Sequence, residues 1–158
     1  MSHDPITAPA HYTIYPVQPI EISRYLGFNL GNATKYVLRA PWKGGVEDCQ
    51  KALRYLELER ECCQPLMIVP LYKRCSLAMK SLVKFFYTAD GDELWEDIAI
   101  QSASFIESLH LYLSQPSDEV FENMRFAVLE LKRVLALRDT TGDYYEGMTG
   151  LPEREASR

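Results

Sequence analysis

The densest chemistry in this chain lies in Gly31-Asn32-Ala33-Thr34-Lys35-Tyr36-Val37-Leu38-Arg39-Ala40. Asn32, Lys35, Tyr36 and Arg39 recur at i, i+3, i+4 and i+7, so a helix presents all four on one face. Val37 and Leu38 are left to supply the buried side. No acidic residue lies between Arg24 and Lys43, so nothing close in sequence neutralises the cations. Such a face suits an anion, phosphate above all. Arg39 would offer a fork of donors, Lys35 a point charge, and Lys43 a further cation just beyond. The alternative is a solvated basic face paired with acids of the next helix.

A second group follows at helical spacing. Asp48, Lys51 and Tyr55 fall at i, i+3 and i+7, and a short turn makes their helix antiparallel to the first. Asp48 could pair with Arg39 or Lys35, hold Mg²⁺ beside a phosphate, or complement its own helix dipole. His11 and Tyr12 precede both helices in a proline-rich stretch. His11 could hydrogen-bond a phosphate or base, or act as an acid or base near neutral pH. It could equally anchor the arm, with Tyr12 packed. Asn32 could read a base edge or cap its helix.

Other candidates are weaker. The order Gly27 to Lys35 is not G-x-x-x-x-G-K-[ST], and no strand precedes it, which excludes a P-loop. Asp90, Asp92, Glu93, Glu96 and Asp97 cluster at a helix start, where the dipole favours acids, and no facing acidic pair completes a metal site. Cys49, Cys62, Cys63 and Cys75 lack metal-ligand spacing and read as free thiols in a reducing compartment. The net charge of −5 argues against general nucleic-acid binding. The charge is uneven: residues 1–60 carry seven Lys/Arg against six Asp/Glu, the remainder ten against sixteen. No apolar run is long enough for a membrane span, and the first residues lack a signal-peptide pattern, so the expected location is the cytoplasm.

The elements that must position these residues are helical throughout. Residues 1–18, with Pro5, Pro9 and Pro16, read as an extended arm with at most a short strand at Tyr12–Tyr15. A short helix through Glu21, Ile22, Tyr25 and Leu26 stops at Gly27. The second helix runs from about Leu30 to Ala40, where Pro41 ends it, and the third from about Val46 to Cys62. Beyond the Leu66–Pro70 connector, three amphipathic helices follow, carrying stripes such as Leu82/Phe86, Phe105/Leu109 and Val128/Leu131. Ser117 or Asp118 can cap the last of these. The apolar period stops at Asp139. The fold class is therefore all-α: an extended arm and short helices (module 19–62) packed on a three-helix bundle (66–138), then a flexible tail (139–158).

The N-terminal third resembles the SaV-like phage protein family. The resemblance rests on Pro9-Ala10-His11-Tyr12, Ile20-Glu21, Gly27-Phe28-Asn29-Leu30-Gly31-Asn32-Ala33-Thr34-Lys35-Tyr36, Arg39-Ala40, Lys43-Gly44-Gly45, Glu47-Asp48 and Lys51-Ala52-Leu53-Arg54-Tyr55-Leu56-Glu57. It covers about residues 8–60. Pro41-Trp42 departs from the pattern, replacing a small and a basic residue and setting an indole beside the polar face. The long C-terminal bundle also departs from it. The family is a domain of unknown function with a nucleotide-kinase-like label. The resemblance thus implies a phage or prophage protein in the host cytoplasm, with ATP and Mg²⁺ as cofactors if it is a kinase. The expected site is His11, Tyr12, Asn32, Lys35, Tyr36, Arg39, Lys43, Asp48, Lys51 and Tyr55, binding a phosphorylated nucleotide. The rival reading is a non-catalytic effector that sequesters a nucleotide signal or inhibits a host protein. The apolar content of the bundle also suggests a homo-oligomer.

Overall fold

Helical periodicity and its terminators decide the architecture. In a computed structural model, residues 14–62 and 69–141 are described, with side chains for 14–62 and 73–139. Six α-helices occupy this span: α1 (Ile20–Ser23), α2 (Phe28–Arg39), α3 (Gly45–Cys62), α4 (Val69–Thr88), α5 (Glu93–Ser114) and α6 (Asp118–Thr141). No strand occurs among the described residues, so the fold is all-α. Ile14 and Tyr15, where a short strand was expected, lie in a turn.

Local chemistry sets the boundaries. The Asp92 carboxylate accepts the Trp95 backbone N–H at 2.8 Å and starts α5. The Ser117 hydroxyl accepts from the Val120 N–H at 3.2 Å and starts α6, which makes Ser117 the cap rather than Asp118. Helix α2 begins at Phe28, two residues ahead of expectation, and the Asn32 side-chain amide donates back to the Phe28 carbonyl at 2.8 Å. The last helix continues past Asp139 to Thr141.

Pro41 does not stop the helical path. Residues Ala40–Gly44 form one π-helical turn between α2 and α3, closed by the Gly45 N–H donating to the Ala40 carbonyl. Proline removes one donor from the ladder, and a wider turn absorbs that loss. The Pro41 carbonyl is used from far away: Arg138 Nη1 of α6 donates to it at 2.7 Å.

Helix α3 packs against α2 and α6, α5 against α4 and α6, and α1 against α2 and α4. Helices α1 and α2 meet closely at Gly31, where a Cβ would stand 2.9 Å from the Ser23 carbonyl oxygen. Buried side chains from every helix form one cluster, including Ile22, Leu38, Leu56, Leu82, Phe105 and Leu131. Burying each such side chain is worth about 1.5–3 kcal/mol, so this shared cluster is the main source of cohesion.

Trp42 belongs to that core. The expectation of an indole beside the polar face is corrected here, because Trp42 is buried. Its Nε1–H donates to the Tyr15 hydroxyl at 2.6 Å, and that hydroxyl donates to the Leu38 carbonyl at 2.6 Å. The Tyr15 ring meets Trp42, Phe85 and Phe86 edge-on, with centroids 5.6–6.0 Å apart. The bond satisfies the only polar atom on an otherwise apolar side chain, which lets the indole go inside.

Candidate functional site

The α2–π-turn–α3 hairpin builds the site. Its two arms run antiparallel, which brings Arg39 opposite Asp48 and Tyr36 opposite Lys51 and Tyr55. Arg39 holds Asp48 with a two-pronged grip: Nε donates to Oδ2 at 2.7 Å and Nη2 to Oδ1 at 2.6 Å. Asp48 is 1% exposed, whereas the Arg39 side chain is 24% exposed. The carboxylate lies directly over Gly44, where a Cβ would overlap it. Glycine is needed there because the close approach of Asp48 fills the space a side chain would take. Asp48 is therefore an internal acceptor committed to Arg39, which selects one of the alternatives the sequence left open.

The exposed side of the hairpin is aromatic and cationic. Tyr36 and Tyr55 stack with centroids 5.9 Å apart and planes 16° from parallel. Phe28 meets Tyr55 edge-on at 5.8 Å and is 76% exposed. Three cations surround the Tyr36 ring: Lys35 Nζ at 4.9 Å from its centroid, Arg39 Cζ at 5.0 Å and Lys51 Nζ at 5.7 Å. Each such contact is worth about 0.5–1 kcal/mol at an exposed site.

The acids that temper these charges come from α3. Glu47 pairs with Lys51 at 2.5 Å, and this hydrogen bond raises the Lys51 pKa, with the charges of Glu47, Asp48 and Tyr36 adding to it. Lys51 therefore stays an ammonium. Among the described residues, no carboxylate lies within ion-pair distance of Lys35. The expectation that nothing nearby in sequence neutralises the cations thus holds for Lys35. Arg39 is balanced from across the hairpin by Asp48, and Lys51 from within its own helix by Glu47.

Six expected site residues, Lys35, Tyr36, Arg39, Asp48, Lys51 and Tyr55, come together here. Asn32 lies on the same face one turn earlier, its amide engaged with the Phe28 carbonyl. Lys43 is exposed on the π-turn, outside the cluster. His11 and Tyr12 fall outside the described residues, as do most of the arm and the tail from residue 142. Phe28 and Glu47 are additions. Phe28 stands four residues before Asn32, so the same helical register would have marked it.

Asp92 caps α5, and no metal-holding group of three His, Cys, Asp or Glu occurs among the described residues. Cys49 and Cys75 are buried, and burial pushes their thiols up to about 12 and about 11. Cys62 is exposed. No described helix is long and apolar enough to cross a membrane.

Comparison with known proteins places the hairpin within a recurring segment. A family model described as a protein of unknown function (DUF3310) matches residues 6–57, the third of the chain that holds α1, α2 and most of α3. No curated protein and no solved structure matches the chain.

Proposed function

We propose that this is a SaV-like phage or prophage protein that binds a phosphorylated nucleotide on the α2–α3 hairpin, without transferring its phosphoryl group. The observation that carries the reading is the stacked Tyr36–Tyr55 pair ringed by Lys35, Arg39 and Lys51, with Phe28 exposed alongside. Aromatic faces accept a base, each stack contributing about 1–3 kcal/mol in nucleic-acid complexes. Lys35 supplies charge for the phosphate, and Lys51 reinforces it. The surface is a flat platform for ligand recognition. Kinase chemistry asks for more, namely two nucleotide subsites and a metal beside the transferred group. Asp48, the buried carboxylate beside this cluster, already has both oxygens occupied by Arg39.

The test is calorimetric titration with nucleoside monophosphates, ATP, free nucleosides and inorganic phosphate, run beside an assay for ADP release. A monophosphate binding more tightly than its nucleoside or phosphate alone, with no ADP release, is the expected result. Tyr36→Ala and Lys35→Ala should each weaken that binding at least fivefold. Absence of binding by every nucleotide would defeat the proposal. Metal-dependent ADP release would replace it with the kinase-like activity that the family resemblance implies.

A further inference from the structure

On α6, the side facing away from the core carries Phe126, Glu130, Arg133 and Leu137, spaced by four, three and four residues. At about 100° per residue these four lie within an arc of about 60°, and they span about 16 Å of helix. Phe126 is 62% exposed and Leu137 52% exposed, two large apolar side chains at the ends of the stretch. Between them Glu130 and Arg133 form an ion pair, Nε to Oε2 at 2.9 Å. Leu129, also exposed, flanks the same stretch.

The pattern reads the same in both directions: apolar, charged, charged, apolar, with mirrored spacing and opposite charges at the centre. We infer that this face pairs with the same face of a second copy of the chain. The two helices would run antiparallel about a two-fold axis midway between Glu130 and Arg133. Phe126 of each copy then meets Leu137 of the other, and Glu130 of each meets Arg133 of the other. The central ion pair becomes a four-charge ring of alternating sign, worth more as a network than an isolated surface pair. Parallel pairing in register would set like charges together, so the sign pattern selects the antiparallel arrangement. A two-fold contact uses one patch twice, and a self-complementary patch is what such symmetry requires. A single helix pair buries a small area, so the association is reversible and concentration-dependent. It leaves the α2–α3 hairpin untouched and does not rest on the nucleotide proposal.

Sedimentation equilibrium of the full chain tests the pairing, with circular dichroism confirming that each variant is folded. The wild type should show a monomer–dimer equilibrium. Glu130→Arg makes the centre of the face entirely cationic and Arg133→Glu makes it entirely acidic, so each variant alone should be monomeric. An equimolar mixture of the two should form a heterodimer, because the cationic face of one meets the acidic face of the other. Phe126→Ser should weaken the wild-type dimer at least tenfold. A monomeric wild type, a charge variant that dimerises as the wild type does, or a mixture that stays monomeric would each overturn the inference.

Discussion

Replacing Arg39 with alanine asks whether this arginine belongs first to the fold or to a ligand. Its guanidinium grips a carboxylate that is 1% exposed, through two hydrogen bonds of 2.6 and 2.7 Å. Removing one partner of a buried ion pair typically costs about 3–5 kcal/mol, because the remaining charge is stranded away from water. The Arg39 side chain is 24% exposed, so its removal admits some solvent to Asp48. The lower end, about 3 kcal/mol, is therefore expected. For a chain of this size that lowers Tm by roughly 6–12 °C. Lys35→Ala, on the same face without a carboxylate partner, loses only its contact with the Tyr36 ring and should cost no more than about 1 kcal/mol. Removing the carboxylate as well, in Arg39→Ala/Asp48→Ala, should recover part of the loss, since no buried charge is then stranded. Urea unfolding of the three variants at neutral pH gives these differences. Arg39→Ala matching the wild type, or the double variant being less stable than Arg39→Ala, would refute this account of the pair.

Other perturbations follow from buried titratable groups. Burial raises the Glu59 pKa, only partly offset by the hydrogen bond from Asn29, so its ionised form is disfavoured in the fold. Wild-type stability should fall as pH rises from the ordinary carboxylate value through the raised one, and Glu59→Gln should remove that fall and raise Tm at pH 7. His110 accepts or donates a hydrogen bond with the Ser76 hydroxyl at 2.8 Å, and burial, then the Lys80 charge, lowers its pKa. The unfolded chain therefore binds the proton more readily, and stability should decline as pH falls from the ordinary histidine value of 6.5 through the lowered one. His110→Gln should flatten that part of the profile in thermal melts. In the native state iodoacetamide followed by peptide mapping should find Cys62 modified while Cys49 and Cys75 stay unreacted, because only thiolates alkylate readily.

The helices were legible because their buried residues repeat every three to four positions, and the face of Lys35, Tyr36 and Arg39 followed from that period. Asp48 could be named from its register but not assigned, since pairing, metal binding and dipole effects all use the same carboxylate. The close approach of Gly44 decides among them, and a close approach is a property of folded backbone. Pro41 misled for a similar reason. A proline ordinarily ends a helix, yet a π-turn with its carbonyl held by Arg138, 97 positions away, lets the path continue. Trp42 read as an indole beside the polar face because it stands where the resembled family carries a basic residue. Its partner, the Tyr15 hydroxyl, is 27 residues distant and leaves no periodic trace. Such long-range polar matches are what local pattern cannot carry.

The chain's two tryptophans, Trp42 and Trp95, sit with ring centroids 5.2 Å apart, one within the family-matched segment and the other outside it. Both are buried at one seam, where α5 meets the π-turn. Ultraviolet fluorescence from this protein is therefore a local gauge: it reports whether the hairpin remains seated on the later helices. Loosening at that seam would alter the emission while α6 stayed optically silent, giving a built-in signal for separating the two parts of the chain from general unfolding.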